Sequence, residues 1–234
     1  MNKNQQLNQF NRLEYLIGND NVELLKTKKV LIVGLGGVGG FAVEALARSG
    51  IGNITLVDYD TIDITNLNRQ IIALHSTIGL KKTTAFKERI LNINKDCNIT
   101  VLDLFLDSSN YKEIITDDYD FIIDCCDSLE AKKLLLLESY NKKIPFIGCM
   151  GTANKMDPSK LEIIDIRKTI NDPIARIMRK FVKDNKLNQK IMVVSSKELP
   201  KKNGTKLGSN AFVPSSAGLL IASFVVRSFI NLEK

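Results

Sequence analysis

The sequence predicts an α/β protein with a Rossmann-like, doubly wound and mostly parallel sheet, followed by a C-terminal extension of strands and helices. Three observations support this fold class. Short runs of β-branched and other apolar residues, such as residues 29–34, are typical of strands buried on both faces. Segments with helical periodicity separate these runs, and such alternation favours a parallel sheet. A glycine-rich turn joins the first strand to the helix that follows it.

Strands and helices are predicted in largely alternating order. The predicted strands comprise residues 29–34, 53–58, 98–105, 119–125, 144–149, 161–167 and 191–195. The predicted helices comprise residues 37–49, 80–93, 129–141, 173–185 and 215–232. The uncharged stretch of the last helix ends at Arg227, and a membrane-spanning helix needs about 20 apolar residues. We therefore expect this helix to lie in the core or at a subunit interface.

Composition places the chain among ordinary globular proteins. Of its 234 residues, 44% are hydrophobic and 25% are charged, which excludes disordered, collagenous and coiled-coil classes. Its 4 cysteines are too few for a disulfide framework, and its polar start lacks the apolar region of a secretory signal. We therefore expect a cytoplasmic protein. The net charge of +7 fits an acidic partner such as nucleic acid or polyphosphate, but a Lys- and Asn-rich composition can produce it too.

The glycine-rich turn has the G-x-G-x-x-G pattern, formed by Gly34, Gly36 and Gly39, with Gly37 between them. Such a turn lets the backbone approach a phosphate closely, and the following helix adds free N–H groups and a positive dipole. Asp58 ends the next predicted strand, where an acidic group can accept hydrogen bonds from ribose hydroxyls. The pattern predicts an adenine nucleotide site and does not by itself choose the nucleotide.

Charged and polar residues follow other strands at the same predicted edge. They are Asp60, Asn66, Arg69, Lys82 and Asp127. NAD carries a pyrophosphate that backbone groups usually bind, whereas an Arg, a Lys and a spare carboxylate suit a triphosphate with Mg²⁺. An NAD-dependent oxidoreductase or a non-catalytic nucleotide sensor stays the alternative from another functional class.

Residues 30–128 resemble the ubiquitin-activating-enzyme-like superfamily, also called the HesA–MoeB–ThiF superfamily. The resemblance is carried by G-L-G-G-V-G, D-Y-D, T-N-L-N-R-Q, G-L-K-K and D-C-C-D. It implies an ATP site in which Asp58 binds the ribose, Asn66, Arg69 and Lys82 contact the phosphates, and Asp127 binds Mg²⁺. Asp60 is a further residue of the same nucleotide site. The resemblance also implies adenylation of a carboxylate and a homodimer, in which Arg12 of one subunit completes the site of the other.

Two branches of the superfamily compete. Enzymes that adenylate a ubiquitin-like sulfur carrier, as in molybdopterin or thiamine synthesis, usually carry two C-x-x-C pairs for zinc, and this sequence has none. Residues 8–232 resemble the tRNA threonylcarbamoyladenosine dehydratase branch, on D-P at 157–158, I-R-K-T at 166–169 and D-P-I-A at 172–175. The match is weak across residues 190–208. That branch implies ATP-dependent cyclisation of a modified adenosine next to the anticodon, without zinc and without a cysteine nucleophile.

The resemblance also organises the rest of the chain. It implies a single adenylating domain, with a helical arm at residues 1–27, a nucleotide-binding core at 28–150 and a substrate or dimer portion at 151–234. A monovalent cation and a cysteine desulfurase with its sulfur acceptor are further partners to consider. We expect Cys125, Cys126 and His75 to serve packing or the surface rather than catalysis.

Basic residues in the second half are candidates for contacts with tRNA phosphates. Arg176, Arg179, Lys180 and Lys183 recur at helical spacing and would share one helix face. Other basic positions are Lys142, Lys143, Lys201 and Lys202, the last two in a basic loop at 200–209 that we expect to be mobile. Solvated surface charge is the competing interpretation for all of them.

Overall fold

A seven-stranded sheet forms the centre of the molecule in a computed structural model that describes residues 7–201 and 204–232. The strands are β1 (Lys29–Val33), β2 (Asn53–Val57), β3 (Asn98–Leu102), β4 (Phe121–Asp124), β5 (Phe146–Cys149), β6 (Leu161–Asp165) and β7 (Met192–Ser196). Their order is β3-β2-β1-β4-β5-β7-β6. Neighbours pair in parallel except β6 and β7, which are antiparallel at one edge. The predicted fold class is confirmed.

Helices cover both faces of the sheet. They are α1 (Asn11–Ile17), α2 (Asn19–Thr27), α3 (Gly39–Arg48), α4 (Lys82–Ile93), α5 (Tyr111–Ile114), α6 (Leu129–Lys142), α7 (Pro173–Asp184) and α8 (Val213–Phe229). On one face, α3, α4 and α8 bury Leu46, Phe86 and Ile221 in one apolar cluster with the strands. On the other face, α6 and α7 bury Leu135 and Met178 in two further clusters. Burial of these apolar surfaces is the main favourable contribution to folding.

The central strands end side by side. Val33, the last residue of β1, pairs with Val57 of β2 on one side and with Asp124 of β4 on the other. The order of the strands reverses direction between β1 and β4, since β2 and β3 continue to one side and β5 to the other. In an open α/β sheet, the crevice at such a point is where ligands bind.

Several boundaries differ from those predicted. The helix after the glycine turn begins at Gly39 rather than at residue 37. Strand β3 ends at Leu102 rather than at residue 105, because its partner β2 ends at Val57. Helix α8 begins earlier than predicted, at Val213, with Pro214 in its first turn. Proline is tolerated there because a first-turn N–H has no partner within the helix.

The C-terminal third extends the same sheet. Strand β7 adds to β5 in parallel, and β6 closes the edge. Helix α8 packs against α3 on the same face of the sheet. The two helices approach so closely at Gly218 that an added Cβ would lie 2.2 Å from the carbonyl oxygen of Val38. Among the helices of the described residues, none has both the length and the apolar character needed to cross a bilayer.

Candidate active site

A cavity of about 280 Å³ lies at the carboxyl ends of β1, β2 and β4. Its lining comes mainly from the glycine turn, the residues after β2, the turn at residues 64–70, the start of α4, residues 104–106 and the turn after β4. Thr152, Ser209 and Pro214 complete it. Nine of the predicted residues are among its lining: Gly34, Gly36, Gly37, Asp58, Asp60, Asn66, Arg69, Lys82 and Asp127. The structure thus brings together predicted residues that lie up to 93 positions apart, from Gly34 to Asp127.

The glycines of the turn serve different purposes. Gly34 has a φ of +91°, and a Cβ there would lie 2.6 Å from the carbonyl oxygen of Cys125, so no other residue fits. Gly39 does not line the cavity: its Cβ would lie 1.8 Å from the carbonyl oxygen of Gly34, so it lets α3 pack onto the turn. Around Gly36 the closest atom to an added Cβ is Gln70 Nε2, 3.9 Å away. Packing therefore does not require a glycine at Gly36, and its open space suits the close approach of a ligand.

Asp58 ties the end of β2 to the glycine turn. Its carboxylate accepts hydrogen bonds from the backbone N–H of Leu35 at 2.6 Å and of Asp60 at 2.8 Å. Burial raises the pKa of Asp58, although Lys82 and the two backbone donors lower it. An ionised carboxylate has about four lone-pair sites, so two remain for further donors such as ribose hydroxyls.

Lys82 begins α4 and is almost fully buried, with 4% of its surface exposed. Its Nζ lies 2.7 Å from Asp60 Oδ2 and 3.9 Å from Asp58 Oδ1. The D-Y-D and G-L-K-K motifs therefore meet in one charge cluster. This arrangement holds an ammonium group at the cavity with two of its three protons free to reach other acceptors.

The turn at residues 64–70 holds Asn66 and Arg69. Asp63 and Asn66 cap this turn reciprocally, since Thr65 N donates to Asp63 Oδ1 and Asp63 N donates to Asn66 Oδ1. The Nη1 of Arg69 donates to the carbonyl oxygen of Thr65 at 2.8 Å and to Asn68 Oδ1 at 3.0 Å. Arg69 is therefore positioned by its own turn, and its guanidinium keeps other N–H groups for a ligand.

The turn after β4 carries Asp127 and is anchored by a buried ion pair between Asp124 and Lys132. Behind it, Lys132 Nζ lies 3.1 Å from both carboxylate oxygens of Asp124 and 2.7 Å from the carbonyl oxygen of Cys149. Asp124 Oδ1 accepts from Cys126 N at 3.2 Å, which links this buried ion pair to the turn. Burial lowers the pKa of Lys132, but the negative charge of Asp124 and the other groups around the ammonium together raise it by more, so the pKa is raised overall.

Asp127 itself suits a divalent cation that arrives with a ligand. It is exposed at the cavity and has no ion-pair partner within residues 7–201 and 204–232. Mg²⁺ typically takes one or two carboxylates from the protein and the rest of its ligands from phosphate oxygens and water. A single free carboxylate beside a phosphate-binding turn fits that donor set.

The two cysteines of the same turn line the cavity and are held in the thiol form. Burial raises the pKa of Cys125 and of Cys126 well above that of an ordinary thiol, and the nearby Asp124 raises both further. Burial likewise raises the pKa of Cys149 to about 12. Thiols of this kind stay protonated at neutral pH, so they do not supply the thiolate that a covalent intermediate needs.

Comparison with known proteins identifies the family. Residues 9–186 match the model of the ThiF family, and this range contains every cavity-lining residue except Ser209 and Pro214. The chain belongs to the ThiF family.

Three relatives place this ThiF-family chain more closely. It is 40% identical to the tRNA threonylcarbamoyladenosine dehydratase of Bacillus subtilis over 96% of each chain. Its fold superposes on E. coli TcdA, tRNA N6-threonylcarbamoyladenosine dehydratase, solved with ATP, with a TM-score of 0.90 and 33% identity over 96% of this chain and 94% of that one. It is 34% identical to the molybdopterin-synthase adenylyltransferase of Haemophilus influenzae over 72% of this chain and 67% of that protein.

Other predicted residues lie away from the cavity. Arg12 is exposed on α1 and does not line it. The basic residues predicted to contact tRNA lie on α7, where Arg176, Lys180 and Lys183 are exposed. Lys202 lies outside the described residues.

Further predicted positions also lie outside the cavity. Lys142 is paired with Asp117 at 2.8 Å and lies 3.7 Å from Glu138. His75 and Lys143 are exposed.

Sequence reasoning missed a second buried ion pair beside the cavity. Lys155 Nζ lies 3.2 Å from Asp172 Oδ2 and donates to the carbonyl oxygen of Gly151 at 2.8 Å. Asp172 also caps α7 through Ala175 N at 2.9 Å, which is the structural meaning of the D-P-I-A motif. The pair fixes the loop after β5, whose Thr152 lines the cavity. An Asp before Pro indicates a helix start, but the buried lysine partner has no signature in the sequence.

Gln70 is another residue that the sequence did not single out. It lines the cavity with 7% of its surface exposed, and its Oε1 accepts no hydrogen bond from any described group. A buried amide oxygen without a donor is costly, so a ligand donor at this position would stabilise the site. Its place next to Arg69 in T-N-L-N-R-Q was the available hint.

Proposed function

We propose that this chain is an ATP-dependent tRNA dehydratase that cyclises N6-threonylcarbamoyladenosine next to the anticodon through a carboxyl-adenylate intermediate. The main support is the gathering of Arg69, Lys82 and Asp127 around the glycine turn in one cavity. The B. subtilis relative and E. coli TcdA carry this dehydratase name, and E. coli TcdA has been solved with ATP and with AMP.

The reaction has two steps. A carboxylate oxygen of the threonyl group attacks the α-phosphorus of ATP, the bond from that phosphorus to the bridging oxygen breaks, and pyrophosphate leaves. The carbamoyl nitrogen then attacks the activated carbonyl carbon, AMP leaves with the former carboxylate oxygen, and the nitrogen gives its proton to solvent. The net change in the nucleoside is loss of one water. The nucleophile belongs to the same molecule, so proximity replaces an enzyme nucleophile.

The cavity residues have separate roles in this scheme. Asp58 accepts from the ribose, with Asp60 holding Lys82 in place. Asn66, Arg69 and Lys82 neutralise charge on the phosphates as pyrophosphate departs. Mg²⁺, when bound at Asp127, would supply electrostatic stabilisation of the phosphate oxygens.

The wider assignments belong to the same proposal. We place the nucleotide-binding core at residues 28–150 and the substrate or dimer portion at 151–234, after a helical arm at 1–27. The enzyme works as a cytoplasmic homodimer in which Arg12 reaches the partner's cavity. A monovalent cation and a desulfurase partner stay predictions of the family resemblance.

The test is mass spectrometry of nucleosides from tRNA bearing threonylcarbamoyladenosine, after incubation with the protein, ATP and Mg²⁺. We expect a nucleoside lighter by one water and one AMP per product. A parallel incubation uses a ubiquitin-like carrier protein with a Gly-Gly terminus. Absence of both product and AMP with the tRNA contradicts the proposal, and adenylation of the carrier alone would transfer the chain to the sulfur-carrier branch.

A further inference from the structure

A second cavity, of about 460 Å³, lies at the C-terminal end of α7 and is lined mainly by cations. Four of its lining residues are Arg167, Arg179, Lys183 and Lys186, and none of the described residues that line it carries a carboxylate. The cavity at the carboxyl ends of β1, β2 and β4, which we call the ATP cavity, has the opposite balance of charge, since three aspartates and two cations line it. We refer to this second site as the basic cavity.

Most of the charge in the basic cavity is not neutralised. Among the described residues, Arg179, Lys183 and Lys186 have no carboxylate within ion-pair distance. Arg179 donates to the carbonyl oxygen of Thr169 at 2.8 Å, a neutral partner. Only Arg167 is paired, with Asp165 at 3.0 Å, and 40% of its side chain stays exposed.

The geometry explains why the four cations converge. Arg167 comes from the short 3₁₀ turn after β6 and donates to the carbonyl oxygen of Gln189 at 2.9 Å, across the end of α7. Arg179 and Lys183 lie one turn apart on α7, and Lys186 follows the helix in the left-handed conformation with a φ of 53°. Asp184 is the acidic neighbour on the same helix end and is exposed.

Helix α7 runs from the loop beside the ATP cavity to the basic cavity. Helix α7 has 12 residues, which corresponds to a length of about 18 Å. At its N-terminus, Asp172 lies against Gly151, the neighbour of the cavity residue Thr152.

Arg176, Lys180 and Lys183 are exposed and recur at intervals of four and three residues along α7. Residues at this spacing lie on one face of a helix. Three exposed cations therefore lie along α7, between its first turn beside the loop after β5 and the basic cavity.

We propose that the basic cavity binds a backbone phosphate of the tRNA whose modified nucleotide occupies the ATP cavity. This inference rests on the proposed function. Guanidinium and ammonium groups are the usual partners of nucleic-acid phosphates. The remaining lining, Val182, Leu187 and Asn188, offers no aromatic ring on which a base could stack. The contact therefore fixes the position of the RNA and reads no sequence.

The assignment refines the expectation from the sequence. Arg176, Arg179, Lys180 and Lys183 were predicted to act as one helical face. In the structure Arg179 turns back towards Thr169 and lines the cavity instead.

The test compares two double variants of equal charge change. Lys183→Gln with Lys186→Gln removes two cations from the basic cavity and keeps most of each side chain. The control, Lys87→Gln with Lys95→Gln, removes one exposed lysine from α4 and one from the loop that follows α4. Both lie on the face of the sheet opposite to α7. Initial rates of AMP formation are measured against the concentration of modified tRNA at several salt concentrations.

We expect the KM for tRNA to rise roughly tenfold in the first variant. The slope of log KM against log salt concentration should become smaller by about 1 for each phosphate contact that is lost. The kcat and the Kd for ATP should stay at wild-type values, because neither lysine lines the ATP cavity. The control variant should change the KM for tRNA by less than about twofold.

Two outcomes overturn the inference. In one, the first variant matches the control in KM and in salt dependence while AMP still forms. In the other, it loses only thermal stability, which is what removal of cations that interact with a helix C-terminus would cause. If the wild type forms no AMP with modified tRNA, the proposed function itself fails, and direct tRNA binding by the two variants still decides the fate of the basic cavity.

Discussion

Lys82 is the residue on which the charge of the ATP cavity depends most. Asp58 and Asp60 both lie within 4 Å of its ammonium group, and Asp58 is itself buried. Without Lys82, two carboxylates would face an incoming polyphosphate. Lys82 therefore neutralises these carboxylates, and in the proposed reaction it would also donate to the phosphates.

Lys82→Ala should abolish most adenylation. We expect AMP formation with modified tRNA to fall by about 10²–10³, as when one donor to a developing charge is removed, and the Kd for ATP to rise. The matched control is Lys87→Ala, because Lys87 is an exposed lysine on the same helix and does not line the cavity. Rates and Kd values are measured after circular dichroism shows that both variants are folded. Equal rates for the two variants would remove Lys82 from the site.

The residues of the ATP cavity were predictable where several motifs coincide. Arg69 and Asp127 could be assigned because each belongs to a short, specific pattern at the end of a predicted strand or turn. Gln70 and Thr152 could not, because their position depends on packing between segments rather than on spacing in the chain. The hydrogen bonds that fold Arg69 back onto Thr65 are likewise a property of the turn in three dimensions.

At the scale of elements, one carboxylate joins α3 to α4. Glu44 accepts from Arg89 Nε at 2.6 Å across the two helices and from Arg48 at 2.7 Å within α3. Burial raises the pKa of Glu44, but the hydrogen bonds from Arg89 and Arg48 outweigh it, so the pKa is lowered overall. Since α3 begins at the glycine turn and α4 begins at Lys82, this contact sets the spacing of two sides of the ATP cavity.

The pH dependence of stability should reveal this contact. A carboxyl group with a lowered folded-state pKa stabilises the protein above its unfolded pKa, near 4.5, and loses that contribution as the pH falls through the folded value. We expect Glu44→Gln to lower the free energy of unfolding by about 1–3 kcal/mol at pH 7 and by progressively less as the pH falls below about 4.5. Urea denaturation across this range measures the difference. Glu88→Gln, an exposed change on α4, is the control, and identical pH profiles for Glu44→Gln and wild type would show that the contact contributes nothing.

Elements were more predictable than their contacts. Strand runs such as residues 29–34 and 53–58 could be found because a parallel sheet buries both faces and leaves a continuous apolar pattern. The antiparallel placement of β6 could not, since its partner β7 follows only after α7. The basic cavity was hidden for the same reason, because Arg167 and Lys186 come from outside the helical face that periodicity identifies.

At the scale of the whole molecule, the ATP cavity of one chain has too few cations for its proposed ligand. Three aspartates and two cations line it, while a triphosphate adds several negative charges. Mg²⁺ and a cation from elsewhere would correct this imbalance. Arg12 lies exposed on α1 next to Tyr15 and Leu16, which are 65% and 79% exposed. Exposed apolar side chains beside an exposed cation suit the surface of a second subunit.

Mixing two inactive variants should therefore restore activity. Arg12→Ala and Lys82→Ala each disable every site of a homodimer, but a mixed dimer has one site that contains both wild-type side chains if Arg12 acts on the partner's cavity. After random reassociation of equal amounts, half of the dimers are mixed and each has one intact site, so AMP formation should recover to about a quarter of the wild-type rate. Light scattering verifies the dimer, and each variant alone is the control. An inactive mixture of verified mixed dimers would mean that Arg12 acts within its own chain, and full activity of Arg12→Ala would mean that it has no part in the reaction.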